Sequence, residues 1–318
     1  MEAIKCEGLS KSYGRFASLD SLDLAVEEGQ VFGFLGPNGA GKTTTVKLLT
    51  GLGRPTRGRA WVAGEPVDAS SSSFRARIGY LPEEPAFYNW MAGHEFLTHV
   101  GQLFGLRNDD ARRRSQELVE QVGLQEASRR RIGGYSRGMR QRLGLAQALV
   151  NRPRVLFLDE PCSALDPIGR KEVLELITSL RDTVTVFMST HILADVERVC
   201  DRVGVIDHGR LVIQASVEEL RQRYAGPVFE LEFAEQADRF KSTLVALPWV
   251  SRVESGSKNT ALRIFAADTP IARQSLPALA ASSGLTLLRY EIVAPSLEEI
   301  FVALVGTRHS GGDAAWPG

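Results

Sequence analysis

Residues 36–43, GPNGAGKT, fit the spacing G-x-x-x-x-G-K-S/T, which is typical of a loop that binds nucleotide phosphates. The glycines let the backbone bend so that N–H groups point at phosphate oxygens, at the positive end of the helix expected next. Lys42 supplies a mobile positive charge for the β- and γ-phosphates, and the Thr43 hydroxyl is a suitable Mg²⁺ ligand. The residues expected to form this phosphate loop are Gly36, Pro37, Asn38, Gly39, Ala40, Gly41, Lys42, Thr43 and Thr44.

Two adjacent carboxylates, Asp159 and Glu160, follow the apolar run VLFL at residues 155–158. Such a run predicts a buried strand, whose carboxyl end lies at the edge where α/β sheets bind ligands. Asp159 is suited to hold Mg²⁺ together with Thr43, and Glu160, one residue on, is suited to polarise an attacking water. With the phosphate loop, this pair predicts a magnesium-dependent nucleoside triphosphatase without saying which one.

A second helix start that looks able to hold an anion begins at Ser136, within YSRGM. Ser136 is well placed as a helix N-cap, and Gly138 allows a phosphate to approach the backbone closely. An ordinary capped helix would need neither Gly134 nor Gly138. Because one chain rarely needs two clamps for a γ-phosphate, we expect the second to serve the nucleotide of another copy. That implies a head-to-tail dimer with two ATP molecules between the copies.

The elements that must position these groups follow an α/β pattern, in which short apolar runs alternate with helix-period segments. Leu22, Leu24 and Val26 face one way and Asp23 and Ala25 the other, which predicts an antiparallel sheet near the start. Strands buried on both faces are expected at residues 31–35, 155–158, 184–188 and 203–206. Between residues 84 and 150 we expect an inserted helical subdomain instead. The apolar face of its first helix is expected to comprise Phe96, Leu97, Val100, Leu103 and Phe104.

The pattern changes near residue 228, which predicts a second domain over residues 228–306. A β-α-β-β-α-β succession indicates a small α+β, ferredoxin-like fold. A closing helix is expected around Leu297, Ile300, Phe301 and Leu304. Residues 307–318 have no pattern, and we expect a disordered tail there.

The totals restrict the class of protein. The 318 residues hold 38 Lys and Arg against 38 Asp and Glu, so the excess of positive charge typical of nucleic-acid binders is missing. Three widely spaced cysteines indicate neither a disulfide framework nor a zinc site, and they fit a reducing cytosol. No apolar run reaches the ~18 residues needed to cross a bilayer. We therefore expect a cytoplasmic chain that reaches a membrane only through a partner.

Taken together, the first 220 residues or so resemble the ATP-binding subunits of ABC transporters, with that family's motifs in order. YSRGM resembles the signature motif usually written LSGGQ; it differs at Tyr135, Arg137 and Met139 but keeps Ser136 and Gly138. Followed by RQRL, this spelling is similar to the exporter branch whose permease is a separate subunit. The resemblance implies a P-loop NTPase core of RecA-like type over residues 1–220, with the antiparallel β subdomain and the inserted helical subdomain.

The resemblance also implies roles for single residues. Tyr13, in KSYG, resembles the aromatic residue that stacks on adenine. Asp166, in SALD, resembles the key acid of the loop that links the two copies' sites, and His191 resembles the switch histidine at the γ-phosphate. Glu83 stands where the family usually has a glutamine that ligates Mg²⁺ and senses the permease. A carboxylate there can still reach the ion, but it adds negative charge beside Asp159 and Glu160.

The resulting interpretation is an ATP hydrolase that binds ATP and Mg²⁺, dimerises around both, and drives an integral-membrane permease from the cytoplasmic face. Phe87, Tyr88 and Trp90 lie where the family receives the permease, although core packing explains them equally well. Three alternatives stay open: a soluble ABC-type ATPase that acts on nucleic acid or ribosomes, a nucleotide-switched self-resistance or regulatory protein, and a P-loop kinase. Neutral charge weighs against the first, and a kinase would leave Ser136 and His191 without a role.

Overall fold

The computed structural model describes residues 1–67, 73–224, 228–256, 259–293 and 295–301. The predicted tail at 307–318 and Leu304 of the predicted closing helix lie outside the described residues. The strands are β1 Glu2–Tyr13, β2 Phe16–Glu27, β3 Val31–Leu35, β4 Arg57–Val62, β5 Glu65–Pro66, β6 Ile78–Leu81, β7 Val155–Asp159, β8 Thr185–Thr190, β9 Arg202–Asp207, β10 Arg210–Ser216, β11 Val228–Phe233, β12 Val250–Ser255, β13 Ala261–Ala266 and β14 Leu287–Val293. The helices are α1 Lys42–Leu49, α2 Gly93–Leu103, α3 Asn108–Gln121, α4 Arg137–Ala148, α5 Pro167–Ser179, α6 Leu193–Val199, α7 Val217–Tyr224, α8 Asp238–Val245 and α9 Thr269–Ser282.

A six-stranded sheet with the order β10-β9-β3-β8-β7-β6 forms the centre of the first compact unit, which ends at Val217. All its neighbouring strands are parallel except β10 and β9. Every residue of β3, β7 and β8 is buried, as their continuous apolar runs predict. Their carboxyl ends therefore lie side by side at one edge of the sheet, and that edge receives the phosphate loop, Asp159 and His191.

The predicted antiparallel sheet near the start is present, with the order β2-β1-β4-β5. Leu22, Leu24 and Val26 are buried, whereas Asp23 and Ala25 between them are exposed, so one face of the sheet is apolar. That face shares a hydrophobic cluster with phenylalanines of the central sheet, where the rings of Phe32 and Phe187 stack with centroids 5.6 Å apart. Burial of this apolar face joins the two sheets.

Helices α2, α3 and α4 lie between β6 and β7, which confirms the inserted helical subdomain. Phe96, Leu97 and Val100 of α2 are buried as predicted. The prediction was wrong for Leu103 and Phe104, which are 73% and 49% exposed. The physical reason is the end of the helix: α2 stops at Leu103, and Gly105 takes a left-handed φ of 85° that turns the chain away before these side chains reach the core.

The second compact unit begins at Glu218 and contains an antiparallel sheet with the order β12-β13-β11-β14. With α8 after β11 and α9 after β13, this is the ferredoxin-like arrangement that the β-α-β-β-α-β pattern predicts. Phe229, Leu231 and Phe233 of β11 share a hydrophobic cluster with Phe240 and Leu244 of α8. Residues 297–301 are helical, and Ser296 and Glu299 exchange the reciprocal hydrogen bonds of a capping box at their start.

None of the helices in the described ranges combines the length and the apolar character that a transmembrane span requires.

Candidate active site

The phosphate loop folds as the glycine pattern predicts. A Cβ atom on Gly36 would lie 2.3 Å from the carbonyl oxygen of Ile206, and one on Gly41 would lie 2.6 Å from that of Ser18. Gly41 also has a φ of 110°, which side-chain-bearing residues rarely adopt. Both positions therefore require glycine. Helix α1 begins directly after the second of them, at Lys42.

Lys42 is only 6% exposed and folds back over the loop that precedes it. Its Nζ donates to the carbonyl oxygens of Gly36, at 2.8 Å, and Pro37, at 3.3 Å. The same ammonium lies 3.6 Å from Oε1 of Glu160. A buried ammonium that is satisfied by such partners is a positive charge placed at the loop, where phosphate oxygens are expected to bind.

Asp159 ends β7 and is 2% exposed. Its Oδ1 accepts from the Thr43 hydroxyl at 3.3 Å and from the Ser189 hydroxyl of β8. Burial raises the pKa of Asp159, against the lowering effect of these two hydrogen bonds. Ser189 is a contributor that the sequence did not reveal; its only signal is a serine that directly follows the apolar residues Val186 to Met188 of β8.

Glu160 occupies the turn directly after β7, with a left-handed φ of 49°. Its backbone N–H donates to the carbonyl oxygen of Ser189 at 3.0 Å, which ties the turn to β8. The buried carboxylate lies between Lys42 and His191. Its Oε1 is close to the Lys42 ammonium, and its Oε2 is 2.9 Å from Nδ1 of His191. The His191 side chain is about half exposed, so this pair reaches from the buried loop to the surface.

The YSRGM segment forms the helix start that its residues predict. Ser136 precedes α4, and its Oγ accepts from the N–H of Met139 at 3.2 Å. Asp166 caps α5 in the same way, with Oδ1 accepting from the N–H of Gly169 at 3.1 Å. The two helix starts share one cavity of about 400 Å³, and a Cβ on Gly138 would lie 3.8 Å from Cα of Gly169.

The predicted site residues therefore form two groups. The first comprises the phosphate loop, Asp159, Glu160 and His191, and the second comprises Ser136, Gly138 and Asp166. In the ranges that the structure describes, no hydrogen bond, ion pair or ring contact joins the Ser136 helix start to the phosphate loop. Within the described ranges the two groups are therefore separate clusters of side chains.

The remaining predicted residues lie around the first group. Tyr13 ends β1 and is 55% exposed, with Nζ of Lys11 5.0 Å from its ring centre. The Thr44 hydroxyl is 2.8 Å from that of Ser18. Glu83 is exposed, and its Oε1 accepts from the Ser163 hydroxyl at 3.3 Å rather than bonding Thr43 or Asp159. Pro37 and Asn38 are exposed, whereas Ala40 is buried.

The donors at the phosphate loop fit a magnesium ion better than a transition metal. Thr43 and Asp159 offer hard oxygen atoms 3.3 Å apart, beside the place where phosphates are expected. Mg²⁺ keeps several waters and takes one or two carboxylates at most. Within the described ranges there is also no cluster of three or more His, Cys, Asp or Glu side chains of the kind that encloses a metal.

The aromatic residues after β6 are largely on the surface. Trp90 is 70% and Tyr88 53% exposed, while Phe87 is partly buried in an edge-to-face contact with Phe96. Of the two sequence explanations, core packing thus applies to Phe87 and leaves Tyr88 and Trp90 available for a partner.

Residues 19–163 match the family described as ABC transporter, and residues 216–305 match the family described as ATP-binding protein DrrA1-3-like, C-terminal domain. The chain is 41% identical over 302 residues to an uncharacterized ABC transporter ATP-binding protein, YxlF, of Bacillus subtilis, covering 95% of this chain and 99% of that one. It is 37% identical to the daunorubicin resistance ATP-binding protein DrrA2 of Streptomyces coeruleorubidus, with 98% of each chain covered.

The bacitracin transport ATP-binding protein BcrA of Bacillus licheniformis is 35% identical, over 95% of this chain and 97% of its own. Among solved structures, the ATP-binding subunit of an ABC transporter is 28% identical and superposes with a TM-score of 0.63, over 70% of this chain and 93% of that one. The sequence similarities to YxlF, DrrA2 and BcrA extend across both compact units.

Proposed function

This chain belongs to the ABC transporter family as an ATP-hydrolysing subunit, and on that premise we propose that two copies close around two Mg-ATP molecules to drive a separate permease. Residues 1–220 form the ATP-binding domain of this proposal, and residues 228–306 form an accessory domain. The assembly lies at the cytoplasmic face of the membrane, where the exposed Tyr88 and Trp90 contact the permease. Relatives named for daunorubicin resistance and bacitracin transport support export as the direction.

Glu160 carries the catalytic part of the proposal, because its carboxylate lies between Lys42 and His191 at the end of β7. Lys42 and the loop N–H groups bind the phosphates, and Glu160 orients and deprotonates the attacking water. His191, which contacts Glu160, stabilises the γ-phosphate. A magnesium ion held by Thr43 and Asp159 would neutralise part of the phosphate charge.

The second group of residues completes the site of the partner copy. Ser136 and Gly138 contact the γ-phosphate bound by the other copy, with Asp166 beside them. The separation of this group from the phosphate loop of its own chain supports the head-to-tail dimer. Tyr13, exposed at the end of β1, stacks on adenine.

Glu160→Gln tests both halves of the proposal. This change keeps the size of the side chain but removes its basicity, so hydrolysis should fall by about 10²- to 10⁴-fold. Because ATP still binds, sedimentation velocity should then detect an ATP-dependent dimer. Glu175→Gln, on the exposed side of α5, is the matched control and should behave as wild type. A monomeric Glu160→Gln protein that hydrolyses ATP normally would overturn the proposal.

Arg137 distinguishes this signature motif from the common spelling, and we propose that it strengthens closure of the dimer. It is exposed, and it lines the same cavity as Ser136 and Asp166. A charge-assisted hydrogen bond to the partner's nucleotide or loop would contribute ~1.5–3 kcal/mol. Arg137→Gly should therefore require more ATP for dimerisation; an unchanged ATP dependence would leave this arginine without a role there.

We propose that Glu83 senses the permease, and a Mg²⁺ titration tests whether it also ligates the ion. Its hydrogen bond with Ser163 joins the loop after β6 to the SALD segment. Glu83→Gln should shift the Mg²⁺ concentration for half-maximal hydrolysis if the carboxylate contacts the ion. Identical titrations of wild type and variant would restrict Glu83 to the sensor role.

A further inference from the structure

Asp195 is a buried carboxylate that none of the proposed steps uses. It is the third residue of α6 and is 2% exposed. Its Oδ1 accepts from Nε of Arg170 on α5 at 2.6 Å. No nitrogen or oxygen donor among the described residues reaches its Oδ2. Burial raises the pKa of the Asp195 carboxyl, whereas Arg170 and the neighbouring Cys162 thiol lower it.

Each contact of Asp195 joins it to a segment that carries a site residue. Cys162 lies two residues after Glu160, and Arg170 lies one helical turn after Asp166, whose carbonyl oxygen accepts from the Arg170 N–H at 2.9 Å. Asp195 itself follows His191 by four residues, through a turn in which Ile192 donates to Thr190 Oγ1. One carboxylate therefore connects the segments of Glu160, Asp166 and His191.

Helix packing alone does not explain this ion pair. Burying a carboxylate costs roughly several kcal/mol of folding free energy. Replacing a buried ion pair with apolar side chains often leaves the stability of a protein unchanged or raises it. Other ion pairs already join the same region: Arg198 of α6 lies 3.5 Å from Glu175 of α5, on the exposed side. Arg181 after α5 also pairs with Asp201 after α6 at 3.2 Å.

We propose that Asp195, through Arg170 and Cys162, is a positioning residue that fixes the Asp166 loop and His191 relative to Glu160. This inference rests on the proposed roles of those three residues. Asp195 touches neither nucleotide nor water. It sets the geometry in which Glu160 and His191 meet a γ-phosphate, so its loss affects the chemical step rather than ATP binding by the phosphate loop.

The test compares Asp195→Asn with Glu175→Gln in the full chain. Asp195→Asn keeps the shape but removes the charge that holds Arg170. Because a misplacement of about 1 Å can cost about 10²-fold in rate, we expect kcat for ATP hydrolysis to fall about ten- to hundredfold with KM unchanged. Glu175→Gln removes the exposed pair between the same helices and should leave both constants unchanged.

A second pair of variants tests the influence of the Cys162 thiol on Asp195. Cys162→Ser keeps a donor to Asp195 and should retain most of kcat, whereas Cys162→Ala should lower it. In the Asp195→Asn background the two should become equal, because the contact they differ in is gone. Melting temperatures measured in parallel identify any variant that fails to fold.

The imidazole NMR signals of His191, assigned with His191→Gln, provide a measurement that does not depend on turnover. They should shift in Asp195→Asn and stay in place in Glu175→Gln. The proposal is overturned by a folded Asp195→Asn protein with wild-type kcat, by a loss confined to KM, or by unmoved His191 signals. Failure of the proposed function is separate, since it would appear as normal hydrolysis by Glu160→Gln.

Discussion

Charged side chains line a sheet in both compact units, but they are placed differently. In the first unit Lys42 begins α1, Asp159 and Glu160 lie at the end of β7, and each is less than a tenth exposed. In the second unit a row of opposed residues crosses the middle of the sheet, with Glu254 opposite Arg263 and Arg263 opposite Glu230. Arg263 is 34% exposed and pairs with Glu230 at 2.9 Å and with Glu299 at 2.7 Å.

The difference in burial matches the roles proposed here, a reactive site in the first unit and a structural network in the second. A charge at the surface costs little and contributes little, whereas a buried charge costs free energy unless it is paired or used. The buried charges of the first unit also sit beside a glycine-rich loop, where a ligand can approach. Those of the second unit belong to ion pairs that hold strands and the closing helix together.

Replacing Lys42 in the first unit and Arg263 in the second should give the largest contrast in ATP hydrolysis. Lys42→Met deletes the charge expected to hold the phosphates and should lower ATP hydrolysis by about 10²-fold or more. Arg263→Met should leave hydrolysis unchanged. Steady-state ATPase assays of both full-length variants make the comparison, and equal losses would contradict the division of roles.

Asp159→Asn should separate activity from stability. Burial raises the pKa of Asp159 in the folded chain, so the ionised carboxylate destabilises the nucleotide-free protein at neutral pH. The asparagine variant should lose hydrolysis yet melt at a higher temperature than wild type in EDTA. The gain should be full above the folded-state pKa, shrink as the pH falls through it, and vanish below the unfolded-state pKa, where the carboxyl is protonated in both states. A lower melting temperature at neutral pH would contradict this account.

In the second unit, Arg263→Met should reduce stability moderately. It leaves Glu299, whose side chain is only 11% exposed, without its ion pair. The expected cost in the free energy of unfolding is roughly 1–2 kcal/mol, between the values for exposed and buried pairs. Denaturant unfolding of the nucleotide-free chain measures this cost. A cost larger than that of breaking a buried ion pair would contradict the view that the charges of the second unit are only partly buried.

Arg252→Ala should have the smallest effect. Its guanidinium lies 4.1 Å from the ring centre of Phe265 and 3.3 Å from Glu254, and the side chain is 44% exposed. Loss of an exposed cation–π contact costs about 0.5–1 kcal/mol. The same unfolding experiment checks this value, and Arg252→Ala should cost less in a Phe265→Leu background, where only the ion pair with Glu254 remains to be lost.

Local pattern was enough to predict the fold class, which is confirmed, because continuous apolar runs identify strands buried on both faces. It failed at Leu103 and Phe104, since periodicity does not show where Gly105 ends a helix. The roles of the site residues stay predictions. The sequence did not indicate that Ser136 and Asp166 share a cavity, or that Asp195 meets Arg170. Such contacts join helices that are distant in the chain and depend on how those helices pack.

The backbone conformation of Glu160 affects which residues evolution can place at this position. With a φ of 49°, the residue occupies a region that costs a side-chain-bearing residue roughly 1–2 kcal/mol and glycine almost nothing. Selection for folding alone would therefore favour glycine at position 160, whereas the proposed role of Glu160 in hydrolysis favours glutamate. In lineages that keep this subunit for binding but no longer need hydrolysis, position 160 should be among the first to drift towards glycine or asparagine. Sequencing of such lineages would reveal that loss before any decline in stability.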